Sequence, residues 1–179
     1  MPVVSVIGDF HAATSTNWLG SITNPLVSFF ALPFAYLGMV IAANGWPGWS
    51  TFFWITLAMA GARTGALAAN RIIDARLDGL NPRTAGRALP SGLMTQLEML
   101  LLATTGFALL HIAAFQLNLL ALALAPVAMI VVTLYSYTKR FTWLSHWALG
   151  LADAIAPAGA WIAVRGEWGP EAAILSLAV

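Results

Sequence analysis

Three oxygen-bearing side chains recur at four-residue spacing near the middle of the sequence: Asn70, Asp74 and Asp78. On an α-helix this spacing keeps all three on one face, with about 6 Å of rise between neighbours. Two carboxylates and a carboxamide are hard oxygen ligands that suit Mg²⁺, an ion that often shares its coordination shell with substrate phosphates. The spacing therefore predicts a magnesium site. The alternative that the spacing leaves open is a solvated helix end whose charges form i,i+4 ion pairs.

Arginines are concentrated around the same motif. Six of the fifteen Asp, Glu, Lys and Arg residues of the chain lie between residues 70 and 92: Arg71, Asp74, Arg76, Asp78, Arg83 and Arg87. A guanidinium group is planar and binds phosphate oxygens through paired hydrogen bonds. Carboxylates that hold a metal, followed by arginines that hold phosphate, predict a site for a metal-bridged diphosphate.

The composition sets the kind of protein that must position this motif. The 179 residues are 60% hydrophobic and 8% charged, with a mean hydropathy of +0.81, whereas soluble domains carry about 25% charged residues. This excludes an ordinary soluble domain and predicts an all-α integral membrane protein. The absence of cysteine excludes disulfides, thiolate metal sites and a cysteine nucleophile. A net charge of +1 is uninformative about a nucleic-acid partner, and none is expected.

Five stretches approach the roughly 20 apolar residues that a spanning helix needs. They are residues 25–43, 51–69, 97–114, 119–137 and 143–164. The helix of the second span is expected to continue through the motif that begins at Asn70. A sixth apolar segment begins at Ala172 and ends with the sequence. We therefore expect residues 1–24 to form a cytoplasmic leader and residues 25–179 to be a partial transmembrane domain.

The distribution of basic residues predicts the orientation. One set of alternating connectors holds Arg71, Arg76, Arg83, Arg87, Lys139 and Arg140, whereas the other set holds only Arg165. Because cytoplasmic connectors are enriched in lysine and arginine, the first set is expected in the cytoplasm. The predicted location is the inner (plasma) membrane, crossed several times, with the functional connectors on its cytoplasmic side.

Two sequence stretches resemble the signatures of UbiA-type membrane prenyltransferases. "NRIIDARLDGLNPRTAGRALPSG" (residues 70–92) is similar to the family's first aspartate-rich motif, N-x-x-x-D-x-x-x-D followed by N-P-R-T-x-x-R-x-L. "YSYTKRFT" resembles the second signature, a tyrosine four residues before a lysine, here Tyr135 and Lys139. The resemblance covers about residues 25–170, and Arg71 is typical of the bacterial 4-hydroxybenzoate polyprenyltransferase-like branch.

The resemblance implies a fold, a reaction and a role for each matched residue. The fold is a bundle of about nine transmembrane helices with a central cavity. The reaction is the Mg²⁺-dependent transfer of a polyprenyl group from its diphosphate to an aromatic acid such as 4-hydroxybenzoate, in ubiquinone or menaquinone biosynthesis. The implied metal ligands are Asn70, Asp74 and Asp78, and the implied catalytic residues, which stabilise the leaving diphosphate, are Tyr135, Lys139 and Arg87. The residues expected to bind substrate are Arg63, Arg71, Arg83, Arg140 and His146.

The predicted spans contain charged or polar residues, among them Arg63, His146 and Asp153. Arg63 lies seven residues before Asn70, hence on the same helix face, and it either points into the bundle or extends to the membrane surface. His146 lies seven residues after Lys139 and is expected to face the same cavity, or else to be an interfacial polar residue. Asp153 lies seven residues further on and has no assigned role.

The sequence departs from the family pattern in two places and leaves other functions open. The family's second aspartate motif, D-x-x-x-D, is expected after a sixth span and is not among residues 1–179, so we expect these residues to be inactive alone. Leu26 and Val27 stand where many relatives carry polar or charged residues. The alternatives are a CDP-alcohol phosphotransferase-like enzyme, whose first aspartate pair is one residue more closely spaced, and a non-enzymatic protein, either a transporter or a catalytically incomplete membrane fragment. The oligomeric state is left open.

Overall fold

The computed structural model describes residues 25–138 and 145–177; the side chains of residues 25–30, 145, 146 and 148 lie outside the description. Regular structure in the described part is entirely helical. The helices are α1 (Pro25–Ala43), α2 (Trp49–Leu80), α3 (Gln96–Leu117), α4 (Leu119–Thr138), α5 (Ser145–Arg165) and α6 (Pro170–Leu177). The first five correspond to the five predicted spans, and α6 to the sixth apolar segment, so the all-helical prediction is confirmed.

Three of the described helices are long and apolar enough to cross a bilayer: α2, α3 and α4. A shorter apolar helix covers Ala31–Ala43. Large apolar side chains remain exposed on the outside of the bundle, including Leu119, which is 80% exposed, and Phe115, which is 68% exposed. Exposed apolar surface of this kind is suited to contact with lipid.

Helix α2 is the longest element, with 32 residues, because the polar motif continues the helix of the second span. It ends at Leu80, and Asn81 has extended backbone angles. Pro82 explains the position of this end, because a residue that precedes proline is disfavoured in the helical region. The following connector, residues 81–95, then leads to α3, which begins with a capping box between Thr95 and Glu98.

Helices α2 and α3 approach each other through glycine. A Cβ atom at Gly61 would lie 2.7 Å from the carbonyl oxygen of Gly106, and one at Gly65 would lie 2.8 Å from the ring of Phe107. Small residues permit this close backbone approach, which is how packed spans gain van der Waals contact within a membrane. The α1–α5 contact uses the same device, since a Cβ at Gly38 would lie 2.6 Å from the carbonyl oxygen of Pro157.

The connector between α2 and α3 is held against both helices. Ala88 in the connector is 2% exposed and packs in one buried cluster with Ala68 of α2 and Met99 of α3. The hydroxyl of Thr84 donates to the carbonyl oxygen of Asp78 at 3.0 Å. The connector is therefore packed against the end of α2 and hydrogen-bonded to it.

Candidate active site

The aspartates of the motif lie on one buried face of α2. Asp74 is 4% exposed and Asp78 is 8% exposed, whereas Arg76, which lies between them in sequence, is exposed. The prediction that the four-residue spacing marks one helix face is confirmed. The burial of both carboxylates disfavours the alternative in which they are solvated and form i,i+4 ion pairs at the helix end.

Asn70 connects this face to helix α4. Its side-chain nitrogen Nδ2 donates to the hydroxyl oxygen of Ser136 at 3.0 Å, and Ser136 is 1% exposed. This hydrogen bond fixes which way the carboxamide is turned. Sequence reasoning used Tyr135 and Lys139 of the "YSYTK" stretch and missed Ser136, although a serine between two tyrosines in an apolar span was an available signal.

Arg87 reaches the same face from the connector. Its terminal nitrogen Nη1 donates to both carboxylate oxygens of Asp78, at 2.8 Å to Oδ1 and 2.7 Å to Oδ2. These are short, charge-assisted hydrogen bonds, which are stronger than neutral ones. The structure therefore places the predicted catalytic arginine directly on a predicted metal ligand.

Tyr135 and Arg71 complete the surroundings of the carboxylates. Tyr135 of α4 is partly buried and lies within electrostatic range of Asp74 and Asp153. Arg71 of α2 is also partly buried and interacts electrostatically with Asp74, Asp78 and Arg87. Residues from α2, the connector and α4 thus converge at one place, which we call the polar cluster: Asn70, Arg71, Asp74, Asp78, Arg87, Tyr135 and Ser136.

Arg63 has a partner inside the bundle. Its terminal nitrogen Nη1 lies 3.8 Å from Oδ1 of Asp153 in α5. The two side chains are 25% and 21% exposed. Of the two alternatives for Arg63, the structure therefore favours the one in which the side chain points into the bundle. It also supplies a contact for Asp153, to which the sequence assigned no role.

Of the remaining predicted site residues, only Arg83 has a described side chain, and it is not part of the polar cluster. Arg83 lies on the connector and is exposed, while its backbone N–H donates to Oδ1 of Asn81 at 3.0 Å. Lys139 and Arg140 lie outside the described residues, as does the predicted leader, residues 1–24. The backbone of His146 is in α5, but its side chain is not described. Their predicted roles stay predictions.

The chemistry of the cluster is compatible with a divalent cation. Within residues 25–138 and 145–177, no group of three or more His, Cys, Asp or Glu side chains is arranged to hold a metal. The predicted set differs from such a group because it combines two carboxylates with a carboxamide. Arg87 competes with a cation for Asp78, because its positively charged nitrogen already lies between the two carboxylate oxygens.

Comparison with known proteins places these residues in a family context. The model of the UbiA prenyltransferase family matches residues 31–179. The chain is 30% identical over 157 residues to a 4-hydroxybenzoate octaprenyltransferase of Aliivibrio salmonicida, covering 88% of this chain and 55% of that protein. It is 38% identical over 164 residues to a protoheme IX farnesyltransferase of Thermus thermophilus, covering 87% of this chain and 26% of that protein.

A solved structure is also similar. The apo structure of a UbiA homolog from Aeropyrum pernix K1 superimposes with a TM-score of 0.75 at 30% sequence identity. The match covers 83% of this chain and 55% of that chain. The sequence spans about half the length of the 4-hydroxybenzoate octaprenyltransferases that it matches.

Proposed function

The chain belongs to the UbiA prenyltransferase family, and from this premise we propose that the protein transfers a polyprenyl group from its diphosphate to an aromatic acceptor. The observation that carries the proposal is the polar cluster, in which two carboxylates of α2 are buried and one of them, that of Asp78, is bound by Arg87. Acidic groups for a cation and basic groups for phosphate lie together there, as transfer from a diphosphate requires.

The proposed cation is Mg²⁺, bound by Asp74 and Asp78 with Asn70. Oxygen ligands of this kind suit it, and the burial of both carboxylates on one helix face supports the assignment. When bound, Mg²⁺ would neutralise diphosphate charge and make diphosphate a better leaving group.

The residues of the chain have distinct tasks in the proposed reaction. The bond between the prenyl carbon and the diphosphate oxygen breaks, and the electron pair leaves with diphosphate. Arg87, with Tyr135 and Lys139, stabilises that developing negative charge, while Arg71, Arg83 and Arg140 bind phosphate oxygens. The prenyl carbon then bonds to the aromatic ring, which loses a proton. Arg63 and His146 are assigned to the acceptor.

The acceptor that the relatives support best is 4-hydroxybenzoate, which would make the protein an enzyme of ubiquinone or menaquinone biosynthesis. Two matched relatives are named 4-hydroxybenzoate octaprenyltransferases. The second candidate is a protohaem acceptor, because the relative with 38% identity is named protoheme IX farnesyltransferase. A CDP-alcohol phosphotransferase is disfavoured by both the family membership and the spacing of Asp74 and Asp78.

The test is a transfer assay with labelled polyprenyl diphosphate in membranes that contain the full-length protein. The candidate acceptors are 4-hydroxybenzoate and protohaem. Asp74→Ala and Asp78→Ala are each expected to lower transfer about 10²-fold or more, as removal of a main electrostatic stabiliser does. Glu167→Gln is the matched control, because Glu167 is an exposed acid that follows the carboxyl end of α5, away from the polar cluster. Activity of both alanine variants within about threefold of wild type would contradict the metal role.

We also propose that the polar cluster faces the cytoplasm. The reason is that the connectors predicted on its side of the membrane carry six basic residues. A cysteine introduced at exposed Arg76 should react with a membrane-impermeant reagent only after the cytoplasmic side is opened. Labelling of intact cells from outside would contradict this orientation and place the polar cluster on the outer side of the membrane.

A further inference from the structure

The positively charged Arg87 side chain binds the carboxylate of Asp78 as a bound cation would. A single nitrogen, Nη1, lies at nearly equal distances from the two carboxylate oxygens, 2.8 and 2.7 Å. A guanidinium group can bind a carboxylate through two parallel N–H bonds, one to each oxygen. Here one nitrogen instead lies between both oxygens, so a positive charge already occupies the face of the carboxylate that a cation would need.

Arg87 lies on the outer side of this pair. Its side chain is 35% exposed, whereas that of Asp78 is 10% exposed. A ligand that approaches from solvent therefore reaches the guanidinium group before the carboxylate. The positive charge of Arg87 attracts an anionic ligand such as diphosphate, but it repels a cation that approaches Asp78 alone.

The backbone at Arg87 is held in place. Its N–H donates to the carbonyl oxygen of Thr84 at 3.0 Å, and its own carbonyl accepts from the backbone N–H and the hydroxyl of Ser91 at 2.9 and 2.7 Å. The next residue, Ala88, is buried. Release of Asp78 therefore requires only rotation of the long arginine side chain, without movement of the connector.

We propose that Arg87 is an exchangeable counter-ion that occupies Asp78 until a cation and diphosphate arrive together. This inference rests on the proposed function, because it assumes that Asp78 binds the cation. On exchange, the cation replaces Arg87 at the carboxylate, and diphosphate replaces the carboxylate at Arg87. Each charged group then has a new partner, whereas a cation that binds alone displaces Arg87 without offering it one. Cation and diphosphate therefore bind with positive cooperativity.

The test measures binding of the cation alone, with Mn²⁺ as a paramagnetic probe and purified protein in detergent. Arg87→Gln removes the competing charge and is expected to bind Mn²⁺ about tenfold more tightly than wild type, since no charged hydrogen bond must be broken. Arg87→Lys keeps the charge and is expected to fall between the two. The matched control is Arg76→Gln, which removes an exposed positive charge from the same helix end and is expected to bind Mn²⁺ as wild type does.

The outcomes separate this inference from the proposed function. Equal Mn²⁺ affinity of wild type, Arg87→Gln and Arg87→Lys would refute the exchange and leave the metal role intact. The same gain in Arg76→Gln as in Arg87→Gln would also refute it, because general charge would then explain the effect. If Asp78→Asn does not weaken Mn²⁺ binding, the metal role of Asp78 fails, and the exchange fails with it. Thermal unfolding of each variant shows whether it is folded, and Arg87→Lys carries the test if Arg87→Gln is not.

Discussion

The two halves of helix α2 are stabilised by opposite means. The first half, residues 49–69, packs against α3 at Gly61 and Gly65, where glycine lets the two backbones come close. The second half, residues 70–80, buries two carboxylates and is held by the polar contacts of Asn70 with Ser136 and of Asp78 with Arg87. The first half is held mainly by close backbone contact with α3, and its described ion pair, Arg63–Asp153, is long at 3.8 Å, whereas the second half is held by short polar contacts.

The difference assigns a task to each half. Close backbone packing has little freedom to rearrange, because protein interiors are as dense as organic crystals. Ionic contacts, in contrast, can be exchanged for those of a charged ligand. Since the helix is continuous, the packed half at Gly61 sets the position of Asp74 about 20 Å further along the axis. The first half supplies rigidity, and the second half supplies groups whose partners can change.

The largest effect is expected where the packed half is broken. Gly106→Leu would place a side chain against the backbone of Gly61 and Gly65, where even a Cβ atom would lie 2.8 Å from the carbonyl oxygen of Gly61. We expect a loss of about 3 kcal/mol or more in the free energy of unfolding, because neither backbone can move aside easily. The measurement is the yield of monodisperse protein in detergent, together with its thermal unfolding.

The control for this variant is Gly159→Leu in α5, where no atom lies within 4 Å of an added Cβ and the residue is exposed. Comparable loss of folded protein in both variants would show that leucine itself, rather than the α2–α3 contact, is responsible.

A smaller effect is expected where the polar half loses one hydrogen bond. Ser136→Ala removes the acceptor for Nδ2 of Asn70 in a buried position. Loss of this part-buried hydrogen bond should cost about 1 kcal/mol, so the unfolding temperature should fall. Thr133→Ala is the control, because the Thr133 hydroxyl donates only to a carbonyl of its own helix, that of Met129, at 2.7 Å. An unchanged unfolding temperature for Ser136→Ala alongside a lowered one for Thr133→Ala would contradict the importance of the α2–α4 contact.

The smallest effect is expected at the one ion pair of the packed half that the structure describes. Arg63 and Asp153 are 3.8 Å apart, beyond hydrogen-bond distance, and both side chains are about a quarter exposed. A double-mutant cycle with Arg63→Gln and Asp153→Asn should therefore give a coupling energy of less than about 1 kcal/mol. A coupling above about 2 kcal/mol would remove the contrast between the two halves, because both would then depend on strong ionic contacts.

The sequence by itself determined the helices and the face on which the motif lies. The five spans and the continuation of α2 through Asn70 were predicted because hydropathy and four-residue spacing are local properties of the chain. The end of α2 was readable too, since Pro82 disfavours a helical Asn81. These features need no knowledge of the neighbouring helices.

The tertiary structure alone decided which partners meet. Spacing places Asp78 on a face, but it does not say that Arg87 of the connector, nine residues later, binds both of its oxygens. Likewise, Ser136 and Asp153 obtained their partners only through the rotation of α4 and α5 about their axes. That rotation depends on how each helix packs against its neighbours, as where Gly38 of α1 meets Pro157 of α5, and periodicity within one helix carries no information about it.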